Sequence, residues 1–277
     1  MAYSNIAESL LEMHYFRVLV RRYQKLLGRN IHVFKPATTA EHWYGFDQAY
    51  FTADTPKPEV IQDLRDFIHN DASPRFTSFR AFLLQFKVVE KMRARSAYSP
   101  QSWNAPYYRS ELYLEPNRKT GISQHEALRR LSGLQGASVS YVCPMIFEEH
   151  DVLKQPKVAD LQFVEVASSP TGWLTNERHF ISFQTPSSPP TWCSKPVPGK
   201  ALEFEDIFKR AAPFKIEGIF KLLLNFRKIL LHETAGEVAE DYDSIRDVKR
   251  VVQQEFLGEG EPNMLPSCLS IIAEASP

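Results

Sequence analysis

Two short stretches of the sequence combine strand-like alternation with polar side chains that could bind a metal ion. They are residues 44–51, which contain Asp47, and residues 81–89, which contain Gln85 and Lys87. Because successive side chains of a strand point to opposite faces, Gln85 and Lys87 are expected to point together from one face. A carboxylate, an amide carbonyl and an ammonium so arranged could hold Mg²⁺ and place the lysine beside a metal-bound water.

The remaining residues of these two stretches predict which faces are apolar and which are open. The core-facing side of the second stretch is expected to carry Phe82, Leu84, Phe86 and Val88. In the first stretch, Asp47 shares its face with Gly45 and Ala49, which are too small to cover a carboxylate. The pattern therefore predicts that Asp47 is open to a ligand.

Three further carboxylates could supply the charge that a dication needs. Glu8 and Glu12 lie four residues apart on an amphipathic helix predicted over residues 5–28. Each either reaches toward Asp47 or belongs to a solvated helix face. We favour Glu12 as the ligand, because it lies next to Met13 on the buried stripe and so nearer the sheet. The predicted stripe consists of Ile6, Leu10, Met13, Phe16, Val20, Tyr23 and Leu27. Glu41, in a predicted turn, is either a further ligand or a solvated carboxylate.

The predicted elements follow one another in a recognisable order. They are a helix over 5–28, strands over 31–35, 44–51 and 81–89, a helix over 123–133 and a strand over 139–147. The second helix begins with a capping box, in which Ser123 is the cap and Glu126 follows three residues later. A short helix over 58–69 is inserted before the third strand, and residues 107–114 are expected to extend the sheet.

This order, together with the D…QxK pattern of Asp47, Gln85 and Lys87, resembles the PD-(D/E)xK nuclease superfamily and its Mrr-like branches over residues 5–147. The resemblance implies a mixed α/β fold with a restriction-endonuclease-like core. It implies that these three residues are catalytic and that Mg²⁺ or Mn²⁺ binds to Asp47, Gln85 and Glu12. It also offers a role at the site for Gln124, which is otherwise a polar residue in the first turn of a helix.

The activity that the resemblance implies is hydrolysis of phosphodiester bonds in DNA, in restriction or antiviral defence, either within a defence complex or as a homo-oligomer. A second hypothesis is a nuclease-like fold that has lost activity and binds nucleic acid or protein. Residues 1–150 would form the core and residues 151–277 an extension. The extension is predicted to contain strands over 160–167 and 179–184, a proline-rich loop or linker over 185–199, and helices over 216–231 and 244–257.

Composition sets wider bounds on the class of protein. The chain has 277 residues, 43% of them hydrophobic, which suffices for one large core. The formal net charge is zero, but residues 1–135 carry six more basic than acidic side chains and residues 136–277 six fewer, so the first half is better suited to face phosphates. No nucleotide-binding glycine motif, zinc-protease motif or serine-hydrolase motif is present. The start of the chain does not resemble a secretion signal and no apolar run reaches membrane-spanning length, which predicts a cytoplasmic protein without membrane contact.

Overall fold

A six-stranded mixed sheet and a five-stranded antiparallel sheet dominate the part of the chain that the computed structural model describes. The described residues are 6–27, 31–34, 46–53, 79–116, 122–133, 137–173, 177–194 and 196–210. Their helices are α1 (Glu8–Leu27), α2 (Gln124–Ser132) and α3 (Phe204–Arg210). Their strands are β1 (Ile31–Phe34), β2 (Gln48–Ala53), β3 (Phe79–Phe86), β4 (Glu90–Met92), β5 (Tyr107–Leu112), β6 (Ala137–Pro144), β7 (Leu161–Glu165), β8 (His179–Phe183), β9 (Thr191–Cys193), β10 (Val197–Pro198) and β11 (Ala201–Leu202).

Helix α1 packs its apolar stripe against one face of the six-stranded sheet. The stripe recurs at steps of three or four residues, so the side chains fall on one side of the helix. Its buried apolar members are Leu11, Tyr15, Leu19 and Tyr23. They join a core with the β3 residues Phe82, Leu84 and Phe86. This confirms the predicted first helix and the predicted apolar face of residues 81–89. The stripe predicted for the helix is wrong in its rotation, because Leu10, Met13 and Phe16 are 36%, 71% and 37% exposed.

The six-stranded sheet runs in the order β1-β2-β3-β6-β7-β11. Strands β1, β2 and β3 are antiparallel neighbours, and β3 lies parallel to β6. The connection between β3 and β6 contains α2, whose His125 hydrogen-bonds the Tyr141 hydroxyl at 2.8 Å. Tyr141 alternates with Val142, which faces the α1 core, so α2 covers the opposite face of the sheet.

The capping box of α2 is formed as predicted. The hydroxyl oxygen of Ser123 accepts a hydrogen bond from the Glu126 backbone N–H at 3.1 Å, and Gly133 is the C-cap. A side-chain oxygen at this position satisfies one of the backbone donors that the first helical turn leaves without a partner. The cap fixes where α2 begins, and therefore where Gln124 lies.

The proline-rich stretch over 185–199 corrects a prediction. It was expected to be a loop or linker, but it supplies β9 and β10 to the five-stranded sheet, whose order is β10-β9-β8-β5-β4. Pro198 is tolerated because β10 is an edge strand, where a residue without a backbone N–H breaks no internal ladder. The prolines predicted a break in the chain, whereas the fold places Pro190 and Pro196 directly before strands and Pro198 in an edge strand.

Strands from beyond residue 150 complete both sheets. Strand β7 pairs with β6, and β11 pairs with β7, so the six-stranded sheet draws on both halves of the sequence. Strand β8 likewise pairs with β5 in the other sheet. The predicted boundary at residue 150 therefore does not separate two sheets.

Several predicted features lie outside the described residues. They are Glu41, the inserted helix over 58–69 and the helices over 216–231 and 244–257. Among the helices that the structure describes, none is both long and apolar enough to cross a membrane.

Candidate functional site

The end of β3 and the residue before β2 bring the three predicted catalytic residues together. The strand predicted over 44–51 is observed at Gln48–Ala53, so Asp47 immediately precedes β2. Its backbone N–H donates to the Leu84 carbonyl at 2.9 Å, which holds it beside β3. Gln85 lies in β3, and Lys87 is the first residue after the end of this strand. The Lys87 backbone N–H donates to the Val142 carbonyl at 2.9 Å.

Glu8, at the start of α1, joins these residues in one hydrogen-bonded cluster. The amide nitrogen of Gln85 lies 2.9 Å from Asp47 Oδ2 and 2.9 Å from Glu8 Oε1. Lys87 Nζ lies 3.1 Å from the same Glu8 oxygen. The backbone N–H of Phe86 donates to Asp47 Oδ2 at 2.6 Å. Two carboxylates therefore approach one amide nitrogen, and a lysine ammonium lies beside one of them.

Gln124 completes this cluster from the other helix. Its amide nitrogen donates to Gln85 Oε1 at 2.9 Å, so the two glutamine side chains are joined directly. We call Glu8, Asp47, Gln85, Lys87 and Gln124 the polar cluster. It joins the first residues of α1 and α2 to the end of β3.

Asp47, Gln85 and Lys87 are buried, which differs from the prediction that Asp47 is open, whereas Glu8 and Gln124 are partly exposed. Asp47 is 5% exposed, Gln85 1% and Lys87 6%. The reason is that the Asp47 carboxylate turns toward the Phe86 N–H and the Gln85 amide, which belong to the next strand. The prediction of an open carboxylate was based only on Gly45 and Ala49, its small neighbours in the same stretch. A buried ion has few water ligands and interacts strongly with every nearby charge.

Burial also changes the acid–base behaviour of Asp47. Desolvation of the carboxylate and, as the second cause, the nearby charge of Glu8 raise its pKa to about 8. The Lys87 ammonium and the Phe86 N–H act in the opposite direction, because both stabilise the ionised form. Near neutral pH, Asp47 therefore holds a proton that a bound cation would displace.

Glu12, the favoured first-helix ligand, lies in a neighbouring network. Its carboxylate accepts a hydrogen bond from Gln48 Nε2 at 3.1 Å, and Gln48 Oε1 accepts one from the Tyr50 hydroxyl at 2.6 Å. Glu8 contacts Gln85 and Lys87 directly, so the structure favours Glu8 over Glu12 as the carboxylate beside Asp47.

No role for Gln48 was predicted from the sequence. It is fully buried, and it shares a strand face with Tyr50, two residues on. A glutamine at alternating spacing with a tyrosine in a predicted strand was the available signal that it needed a buried polar partner.

The oxygen donors of the polar cluster suit Mg²⁺ or Mn²⁺ in type but are few in number. The carboxylates of Asp47 and Glu8 are hard oxygen ligands, and the Phe86 carbonyl lies 3.1 Å from the Gln85 amide nitrogen. Within the described residues, no group of three or more His, Cys, Asp or Glu side chains is arranged to hold a metal ion. Glu41 lies outside those residues, so it adds no observed ligand. Two carboxylates and a carbonyl fit a weakly held, partly hydrated cation.

Comparisons with protein-family models, with curated proteins and with solved structures find no match to this chain. The case for a function therefore depends on the geometry of the polar cluster and on the resemblance of the sequence pattern.

Proposed function

We propose that this protein is a Mg²⁺-dependent nuclease of the PD-(D/E)xK type that hydrolyses phosphodiester bonds in DNA. The observation that carries the proposal is the convergence of Asp47, Gln85, Lys87 and Glu8 within hydrogen-bonding distance. Three of these residues were singled out from their types and spacing alone. Glu8 and Lys87 are 79 residues apart in the sequence, yet their side chains are in contact. A purely structural role for each residue would not require the side chains to meet.

The arrangement of elements around the polar cluster supports a restriction-endonuclease-like core as part of this proposal. Helix α1 is followed by the antiparallel strands β1, β2 and β3, and α2 leads into β6, which is parallel to β3. Strands β4 and β5 come between β3 and α2 but belong to the five-stranded sheet, so residues 107–114 do not extend the first sheet as expected. Within the six-stranded sheet, the order of helix, three strands, helix and strand is that of the resembled superfamily. The two helices cover opposite faces of the sheet, and both begin at the polar cluster.

Four residues of the polar cluster have a role in this proposal. Asp47 and Glu8 would hold the cation, which when bound supplies a Lewis acid that polarises the phosphate and its attacking water. Lys87 carries an ammonium within 3.1 Å of Glu8, so it is close enough to offset negative charge that develops on the phosphate. Gln85 contributes no charge, and its amide bridges the two carboxylates.

A digestion assay tests the proposal. Purified protein is incubated with linear or circular, single- or double-stranded DNA and with RNA, in Mg²⁺, Mn²⁺ or EDTA. We expect cleavage of DNA only with a divalent cation, and its loss by about 10²-fold or more in Asp47→Ala and Lys87→Ala. Lys154→Ala is the matched control for Lys87→Ala, because the Lys154 side chain is 68% exposed and pairs with Asp151 at the surface. Full activity of either cluster variant would overturn the site assignment.

One observation favours a second candidate function, an inactive nuclease-like fold that binds nucleic acid or protein. The nitrogen of the Gln85 amide, rather than its oxygen, faces both carboxylates, so the cluster satisfies itself without a cation. DNA binding that is unaffected by EDTA, with no cleavage under any condition of the digestion assay, would establish this alternative.

A further inference from the structure

The Gln85 amide is oriented by its surroundings on both sides. Its nitrogen lies within 2.9 Å of Asp47 Oδ2, 2.9 Å of Glu8 Oε1 and 3.1 Å of the Phe86 carbonyl oxygen. All three atoms accept hydrogen bonds, so only the NH₂ end of the amide can face them without repulsion. On the other side, Gln85 Oε1 faces the NH₂ group of Gln124 at 2.9 Å.

A divalent cation bound between Asp47 and Glu8 would reverse which end of the Gln85 amide is favoured on that side. The same carboxylate oxygens that accept hydrogen bonds from an NH₂ group would coordinate the cation, which attracts oxygen and repels amide protons. The Gln85 carbonyl would then be the favoured end toward Asp47 and Glu8. The NH₂ group of Gln85 would then face the NH₂ group of Gln124, so two hydrogen-bond donors would point at each other.

We propose that Gln124 is a positioning residue and that a cation bound at Asp47 and Glu8 turns the Gln85 and Gln124 amides together by a half rotation. This inference rests on the cation site of the proposed function. Each glutamine presents a donor at one end and an acceptor at the other, so a concerted turn preserves the hydrogen bond between them with its direction reversed. A turn of Gln85 alone would leave two donors facing each other, which is costly because the Gln85 amide is buried and water has little access to it.

Gln124 thereby sets how readily the site accepts a cation. A side chain that can only accept hydrogen bonds at position 124 would hold the Gln85 NH₂ toward itself, and so keep the Gln85 carbonyl toward Asp47 before any cation arrives. A pre-turned amide would remove the reorganisation that otherwise opposes binding. Gln124→Glu is the variant that creates this condition.

The wild-type protein gives the first test. The full chain is labelled with ¹⁵N and ¹³C at glutamine, and its side-chain amides are followed by NMR during titration with Mg²⁺. Without cation, we expect the Gln85 NH₂ protons to show nuclear Overhauser contacts to the Phe86 and Asp47 side of the site. With saturating Mg²⁺, these contacts should be replaced by contacts to the Gln124 side chain. Saturation without any change in the contacts of either amide would overturn the inference.

Variants give the second test. Gln124→Glu should show the Gln85 contacts to position 124 in the absence of cation, and should lower the Mg²⁺ dissociation constant roughly tenfold or more. Arg130→Gln is the charge-matched control. It also lowers the net charge by one, but Arg130 is on the exposed side of α2, paired with Glu126. We expect it to change the dissociation constant by less than about threefold, because screening weakens charges across solvent.

The two proposals fail in different ways. Absence of Mn²⁺-induced line broadening at Gln85 in the wild type would show that no cation binds there, and both would fall. Cation binding with DNA cleavage, but with no turn of the amides and equal affinity in Gln124→Glu and Arg130→Gln, would overturn the inference and leave the nuclease proposal standing. Should Gln124→Glu fail to fold, the wild-type titration decides the question by itself.

Discussion

The carboxylate of Asp47 accepts a 2.6 Å hydrogen bond from the backbone N–H of Phe86, 39 residues further along the chain. This bond ties the entrance of β2 to the end of β3 and directs the carboxylate inward, where it is 5% exposed. The same contact lowers the pKa of Asp47, but desolvation and the charge of Glu8 outweigh it, and the pKa stands at about 8. The acid–base state of Asp47 is thus coupled to the folding of the protein.

Asp47 should make stability decrease as pH rises between about 4 and 8. In the unfolded chain its carboxyl ionises near pH 4, whereas in the folded protein it keeps its proton to about pH 8. The folded state therefore binds more protons in this range, and the contribution of Asp47 to the free energy of unfolding falls by up to about 1.4 kcal/mol per pH unit. Asp47→Asn removes the titration. In urea unfolding in EDTA, the free energy of unfolding of the variant minus that of wild type should therefore increase from pH 5 to pH 8.

Asp151→Asn is the control for this experiment. Asp151 forms an ion pair with Lys154 at the surface, which lowers the pKa of its carboxyl, so it is already ionised at pH 5 in both states. The difference between this variant and wild type should stay constant from pH 5 to pH 8. An equally constant difference for Asp47→Asn would mean that Asp47 is ionised in the folded protein throughout this range.

Glu8 and Glu12 should differ sharply when each is replaced by glutamine. Glu8→Gln removes the negative charge that Lys87 and the Gln85 amide contact, so DNA cleavage should fall by about 10²-fold or more. Glu12 lies one helical turn from Glu8, and glutamine at position 12 can still accept a hydrogen bond from Gln48. Cleavage by Glu12→Gln should therefore stay within a few-fold of wild type. The two variants change the same charge on the same helix and serve as controls for each other. Equal losses would show that general charge, rather than contact with Lys87, governs activity.

The positions that could be predicted from sequence are those set by local periodicity. The apolar steps of α1, the alternation of Phe82, Leu84 and Phe86, and the capping box of α2 each depend on neighbours within a few residues. The polar types at the end of β3 likewise identified Gln85 and Lys87 as side chains that meet near Asp47. The helix α1, the apolar face of β3 and the cap of α2 were found where the pattern placed them. The rotation of α1 was not, because Met13 of the predicted stripe is 71% exposed and Leu11, Tyr15 and Leu19 are buried instead.

The features that could not be predicted depend on contacts between distant segments. Whether Glu8 or Glu12 meets Lys87 depends on the rotation of α1 over the sheet, and the apolar stripe alone does not fix it to within one turn. The burial of Asp47 depends on Phe86, and the pairing of the proline-rich stretch over 185–199 depends on an available edge of β8. The local propensities of the residues do not predict such long-range pairing.

Phe86→Ala should lower stability by roughly 3–5 kcal/mol, because the ring is fully buried and its loss leaves a cavity between α1 and the sheet. The free energy of unfolding is measured by urea denaturation at constant pH. Met13→Ala on α1 is the control, since Met13 is 71% exposed, and its cost should be within about 0.5 kcal/mol. A melting temperature unchanged by Phe86→Ala would mean that the two faces of β3 are reversed.

Gln85→Glu should bind Mg²⁺ more tightly than wild type while being less stable without it. The new carboxylate adds a full negative charge beside Asp47 and Glu8. Coulomb attraction between unit charges at 4 Å is about 4 kcal/mol at an effective dielectric of 20, and it is larger for a dication. Without cation, the variant loses the amide that bridges the two carboxylates and adds a third acceptor beside them. Isothermal titration with Mg²⁺ and thermal unfolding in EDTA measure the two effects.

Gln85→Met separates the charge from the lost hydrogen bonds. Methionine matches the length of glutamine but cannot bridge Asp47 and Glu8, so it should lower stability in EDTA without strengthening cation binding. Added Mg²⁺ should then raise the melting temperature of Gln85→Glu more than that of wild type, and that of Gln85→Met least, because a ligand that binds more tightly stabilises the folded state more at the same concentration. Equal or weaker Mg²⁺ affinity in Gln85→Glu would mean that position 85 does not face the cation, and would favour the inactive binding module over the nuclease.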